Sequence, residues 1–151
     1  MRVENILPTA RKRLVIIRDD APLTEAAKLL LEADTDCPLL VVCNADERVA
    51  GVISKTDVVR LFSQGRACDV GTAASAAMTR SVVSCRPSDL LRDVWATMKE
   101  RKLKNVPVLD ENSRPIGMLN ALDLLEALLE EAEQEEFLLR DYVMGIGHPR
   151  I

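Results

Sequence analysis

Two short stretches of this 151-residue chain carry the residue types best suited to chemistry: Ser54, Lys55, Thr56, Asp57 and Asn120, Ala121, Leu122, Asp123. Each follows a glycine and two apolar residues, Gly51, Val52, Ile53 in one and Gly117, Met118, Leu119 in the other. A strand therefore hands over to a helix at a hydroxyl or amide residue, with an aspartate three positions later. Such a pattern has a local use: serine or asparagine caps the helix, and the acid at the third position can complete a variant capping box. It also suits a ligand. Free N–H groups and the dipole at a helix start favour a phosphate. A carboxylate one turn in can accept both hydroxyls of a ribose diol, as in dinucleotide folds. A glycine in the strand allows close backbone approach. Capping alone and nucleotide binding both remain open from these residues.

The elements that must position the two stretches are themselves duplicated. Gly51 and Gly117 are separated by 66 positions, and so are Asp57 and Asp123. In the first copy, the β-branched run Leu14 to Ile17 predicts a strand, and the apolar set Leu23, Ala26, Ala27, Leu30, Leu31 predicts a helix opening near Pro22. Leu39 to Cys43 and Val49 to Ile53 predict a hairpin around a polar turn, and Lys55 to Phe62 a second helix. The order then recurs: Val82 to Cys85 as strand, Leu90 to Glu100 as helix, Val106 to Leu109 and Ile116 to Leu119 as hairpin, and a helix from Ala121. Few identities survive between the copies, but the apolar pattern does, which reads as an internal duplication. Val3 to Leu7 predicts a turn of helix closed by Pro8, with Arg11, Lys12 and Arg13 on a loop. A short helical turn is expected at Ala76 to Met78. The division expected is a first repeat over 1–64, a linker over 65–75, a second repeat over 76–132 and a helical extension over 133–151.

A net charge of −4 with 3% aromatic residues argues against a nucleic-acid binder. No apolar run approaches the roughly 20 residues that span a bilayer, and Met1 to Arg13 lacks a signal-peptide core, so a cytoplasmic protein without a membrane segment is expected. Cys37, Cys43, Cys68 and Cys85 form neither a C-x-x-C pair nor a metal-ligand pattern; Cys43 and Cys85 read as buried thiols. No metal site is expected. With no G-x-G-x-x-G, no nucleophile beside a base and a single terminal histidine, His148, nothing marks an enzyme. From Ala121 to about Tyr142 the last helix contains neither Gly nor Pro, with Gly145 as its expected C-cap. Its apolar residues outrun the domain, which predicts a homodimer contact.

The tandem order, the hairpins and the motif of Gly, two apolar residues, Ser/Thr/Asn, two variable residues and Asp resemble a pair of cystathionine-beta-synthase (CBS) domains, over about Val3 to Glu131. The resemblance implies an α/β (α+β) fold in which two β-α-β-β-α repeats pack as a pseudo-twofold pair with two clefts, here followed by a long C-terminal helix. It implies a non-catalytic regulatory sensor that binds an adenosine nucleotide (AMP, ADP or ATP, with S-adenosylmethionine or NAD less favoured), senses cellular energy and signals as a homodimer to an effector protein that the sequence does not name. Carried over by position, Asp57 and Asp123 hold ribose hydroxyls, assisted by Ser54 and Asn120, and Lys55 reaches phosphate. Adenine lies against Val15, Ile16, Leu39 and Leu40 in one repeat, and against Val83, Ser84, Asn105 and Val106 in the other. Asn120, Ala121 and Ile16 depart from the family pattern. The alternative is a structural dimerisation scaffold with no physiological ligand, in which both motifs only cap helices.

Overall fold

The computed structural model describes residues 1–32, 39–65 and 71–147. Its elements follow the duplicated order. After a 3-10 turn at Val3–Ile6 comes α1 (Leu7–Arg13), then β1 (Ile16–Arg18), α2 (Leu23–Glu32), β2 (Leu39–Cys43), β3 (Val49–Ser54) and α3 (Lys55–Ser63). A second 3-10 turn, Ala74–Ala76, leads to α4 (Leu91–Arg101), β4 (Asn105–Leu109), β5 (Pro115–Asn120) and α5 (Ala121–Gly147). The turn expected at Ala76 to Met78 thus lies two residues earlier. The helical turn expected over Val3 to Leu7 is the 3-10 turn Val3–Ile6, but Pro8 does not close it: it stands in the first turn of α1, where its missing N–H costs nothing. Arg11, Lys12 and Arg13 consequently occupy the last turn of a helix rather than a loop, where the dipole favours cations.

In the first repeat, β1 runs parallel to β2, which pairs antiparallel with β3. The hairpin turns of the two repeats are copies. Asn44 Oδ1 accepts from the N–H groups of Asp46 and Arg48, and Asp110 Oδ1 from those of Asn112 and Arg114. Glu47 and Ser113, again 66 positions apart, take the same left-handed conformation, with φ of 63° and 62°.

The second repeat departs from the first at its opening strand. Val82 to Cys85 forms no ladder; only Cys85 bridges Val108, through Cys85 N–H to Pro107 O (3.0 Å) and Leu109 N–H to Cys85 O (2.9 Å). The cause is Pro107. In the first repeat the next rung is made by the N–H of Val41 donating to Val15 O at 3.0 Å. The matching donor in the second repeat would be residue 107, a proline without an N–H. The released segment instead crosses between sheets: Thr79 exchanges hydrogen bonds with Val52 of β3 (2.8 and 3.0 Å), and Cys85 reaches β4.

Each repeat is covered by the segment that leads into the other. Val3 and Ala10 are buried with α4, β4, β5 and α5, whereas Ala74 and Ala77 are buried with α2, β2 and β3. The motif glycines make room for this exchange. A Cβ on Gly51 would stand 2.7 Å from Thr79 O, and one on Gly117 would stand 3.0 Å from Ala10 Cβ. The close approach expected at these glycines is therefore made by the chain itself. Between the sheets, Val41, Cys43 and Met118 form a third buried cluster that joins the repeats. α5 continues past Gly145, which is not its cap, to a length of about 40 Å. Phe137, Leu138 and Tyr142 on it are 65–70% exposed.

Candidate ligand-binding site

The motif of the first repeat opens on a cavity of about 370 Å³ between the repeats. One wall is Leu39, Val52, Ser54, Asp57 and Arg60; the crossing segment supplies Thr79 and Ser81 to Val83; the far wall is Lys102 to Asn105 and Pro107. Because Pro107 keeps Val82 and Val83 out of a ladder, their backbone is free to line this space.

The buried carboxylate in its lining is Asp57, 8% exposed. Its Oδ2 accepts from the N–H of Ser54 (2.8 Å) and from Ser54 Oγ (3.1 Å), and Ser54 Oγ accepts from the N–H of Asp57 (3.3 Å), so the capping box is real. Its Oδ1 accepts from Thr79 Oγ1 (2.9 Å) and from Arg60 Nη1 (3.3 Å). The second bond of that pair is the longer and belongs to a side chain 58% exposed. A ribose hydroxyl has one inexpensive way onto Asp57, by replacing Arg60 on Oδ1.

The second motif is built alike and used differently. Asn120 Oδ1 accepts from the N–H of Leu122 at 2.9 Å, capping α5, and its amide donates to Asn105 Oδ1 at 3.4 Å. Asp123 takes a two-point ion pair with Arg13, through Nε to Oδ2 and through Nη2 to Oδ1 (3.0 Å). Arg13 and Thr79 are 66 positions apart, so each motif aspartate meets the same position of the segment before the other repeat. That position neutralises Asp123 and merely hydrogen-bonds Asp57.

Of the residues expected from sequence, Leu39, Ser54, Asp57, Val83 and Asn105 share the one cavity. This cavity takes Leu39 from the first repeat and Val83 and Asn105 from the second, so it draws on both of the adenine walls that the resemblance implies. Ser84 and Val106, with Val83 again, border a separate cavity of about 260 Å³ beside Cys85, Asp89 and Asp93. Leu40 is fully buried in the first core, Val15 packs against that core, and Ile16 is 46% exposed. Lys55 is exposed and does not line the cavity; its cations are Arg60, Lys102 and Lys104. Sequence reasoning missed these three, and Thr79 and Arg13 with them. Arg60 was within reach, one turn beyond Asp57 on the same helix. Burial and the charge of Asp89 push the Cys85 thiol up to about 12, and burial above all raises that of Cys43, so neither is a thiolate at neutral pH. Cys37, Cys68 and His148 lie outside the described residues. No group of three metal-ligating side chains occurs among the described residues.

The CBS domain family model matches the chain twice, over residues 3–64 and 73–130. The chain belongs to the CBS domain family. Its arrangement is that of a CBS pair. CBSX2 of Arabidopsis thaliana, solved in complex with AMP, superposes with a TM-score of 0.73 at 25% identity, covering 87% of this chain and 98% of that one. The CBS domain pair of protein MJ0100, solved with 5'-methylthioadenosine and S-adenosyl-L-methionine, shares the fold at 20% identity, with a TM-score of 0.70 and coverage of 87% and 98%. An uncharacterised 17.7 kDa protein of Acidianus ambivalens is 25% identical over 138 residues, which is 91% of this chain and 81% of the relative. Other curated relatives, two archaeal homoserine O-acetyltransferases and a bovine AMP-activated protein kinase gamma subunit, are longer; the chain spans 20–24% of their length.

Proposed function

We propose that this CBS pair is a regulatory, non-catalytic module that binds an adenosine nucleotide in the Asp57 cleft and passes the bound state to an effector protein as a homodimer. The observation that carries the reading is Asp57 itself: a buried carboxylate lining a cavity formed by both repeats, with Leu39 and Val83 as apolar lining. Ser54 and Asp57 hold the ribose, and the adenine lies between those walls. CBSX2, which has the same fold, was solved with AMP, and this supports the class of ligand. A cleft that takes residues from both repeats also gives the ligand a means of action. Closing it changes how the repeats sit, and a ligand shifts such an equilibrium by its differential affinity for the two states. The long exposed apolar stripe of α5 supports the dimer. No helix of the described residues is long and apolar enough to cross a membrane.

Thermal melting of ligand-free protein with AMP, ADP, ATP, NADH and S-adenosylmethionine tests the reading. A ligand at a hundred times its dissociation constant adds about 2.7 kcal/mol, which raises Tm by roughly 5–10 °C in a domain of this size. If none of the five raises it, the scaffold reading takes its place, supported by the closed capping box of Ser54 and Asp57.

A further inference from the structure

We infer that the Asp57 cleft is built for an adenosine nucleotide with two or more phosphates, and that Arg60, Lys102 and Lys104 are its polyphosphate clamp. This rests on the reading of the cleft as a nucleotide site and narrows its ligand.

The cavity lining contains three cations and one carboxylate. Arg60 stands at the ribose end, on Asp57, and any ribose hydroxyl that takes its place on Oδ1 frees the guanidinium for the adjoining phosphate. Lys102 and Lys104 line the same cavity from the second repeat, and neither has an ion-pair partner among the described residues. Cations contributed by both repeats match a chain of phosphates better than a single phosphate held by one repeat.

The lysines do not hang from a loose loop. Lys102 ends α4 in the left-handed conformation (φ 56°, ψ 44°), a position that glycine occupies more easily, and Leu103 N–H closes the turn on Met98 O at 2.8 Å. Leu103 packs against the second core, and Lys104 O accepts from the N–H of Ala121 at the start of α5. Both lysine backbones are thus fixed before a ligand arrives, which lowers the ordering cost of binding.

The cation set is not a general property of the duplication. The position matching Arg60 in the second repeat is Glu126, 66 residues on. Charge also separates candidate ligands. S-adenosylmethionine, with a sulfonium, an ammonium and one carboxylate, brings a net positive charge to a cationic cleft, adenosine brings no charge, and AMP uses only part of the clamp.

Isothermal titration with adenosine, AMP, ADP, ATP and S-adenosylmethionine, without magnesium, on the wild-type chain and on a Lys102→Gln/Lys104→Gln double variant tests the clamp. ADP and ATP should bind the wild type about tenfold or more tightly than AMP. The double variant should bring them to the AMP level and leave AMP within about twofold. Both side chains are exposed, so an unchanged melting curve without ligand checks that the variant folds. AMP binding as tightly as ADP, S-adenosylmethionine binding tightest, or an undiminished preference in the double variant would each overturn the clamp while leaving an adenosine site in place. Binding of none of the five overturns the nucleotide site itself.

Discussion

The two halves of this CBS pair carry the same motif at the same spacing, yet one aspartate lines an open cleft and the other is held in a two-point ion pair. Thr79 touches Asp57 with a hydroxyl, and the cation on that carboxylate is the half-exposed Arg60 at 3.3 Å; Arg13, at the position matching Thr79, closes on Asp123 with two hydrogen bonds. Arg60 is answered by Glu126 and Val41 by Pro107. A duplicated fold can thus keep its packing rules in both copies while its polar positions diverge, one motif lining an open cleft and the other closed by an internal ion pair. The glycines, apolar strands and capping residues hold the architecture, so they stayed alike. Single residues at the rim are free of that duty, and there the halves part.

The comparison breaks most readily at the aspartates. Asp57→Ala removes the ribose acceptor and should weaken nucleotide binding about 10- to 100-fold, whereas Asp123→Ala should change it by less than about threefold. Titration of both variants checks this, and equal losses would mean that the two motifs serve one ligand alike. Asp57→Asn, which keeps one acceptor for Ser54 and the cap, separates lost charge from lost folding.

The glycines come next. Alanine at Gly51 meets the backbone oxygen of Thr79 at 2.7 Å, while at Gly117 its nearest neighbour is the Ala10 methyl at 3.0 Å. The first contact cannot yield without moving the Thr79–Val52 bridge, and the second needs a small shift of α1. Gly51→Ala should therefore cost about 2 kcal/mol and Gly117→Ala about half of that. Chemical denaturation of the two variants gives the difference directly.

Much of this was legible in the chain. The repeat spacing, the two hairpins, and the motif glycines and aspartates are local signals, and the structure has them where the pattern predicts. What escaped depends on contacts across the repeats. That Arg13 meets Asp123 follows from α1 packing against β5, and α1 is hard to see in the chain because Pro8, which elsewhere ends a helical turn, stands here in the first turn of one. Lys102 and Lys104 sit in a turn with no motif around them, and only the fold brings them opposite Asp57. The segment Val82 to Cys85 has the composition of a strand, but its partner strand lacks one donor.

Arg13 sharpens the comparison from the other side. Arg13→Ala should release Asp123 and raise the nucleotide bound per chain from about one toward two, with a weak second step in the titration that is several-fold poorer than the first. An unchanged stoichiometry would show that the ion pair is not what keeps a second nucleotide from binding, and would point instead to Glu126, which stands where the first half has Arg60.

The smallest effect belongs to Pro107. Pro107→Val restores an N–H where Val41 has one, opposite Val83 O, and so allows the second rung that the first repeat makes with Val15. The hydrogen bond gains about 1 kcal/mol, but the unfolded chain regains freedom worth about 0.4–1 kcal/mol, so net stability should move by less than about 1 kcal/mol. The informative readout is hydrogen exchange. The introduced amide at position 107 should be protected like that of Val41, and Val82 and Val83, drawn into the ladder, should line the cleft less well and weaken nucleotide binding. A protected amide with unchanged affinity would show that the wall does not depend on the loosened strand, and would leave Pro107 as a difference of the sheet alone.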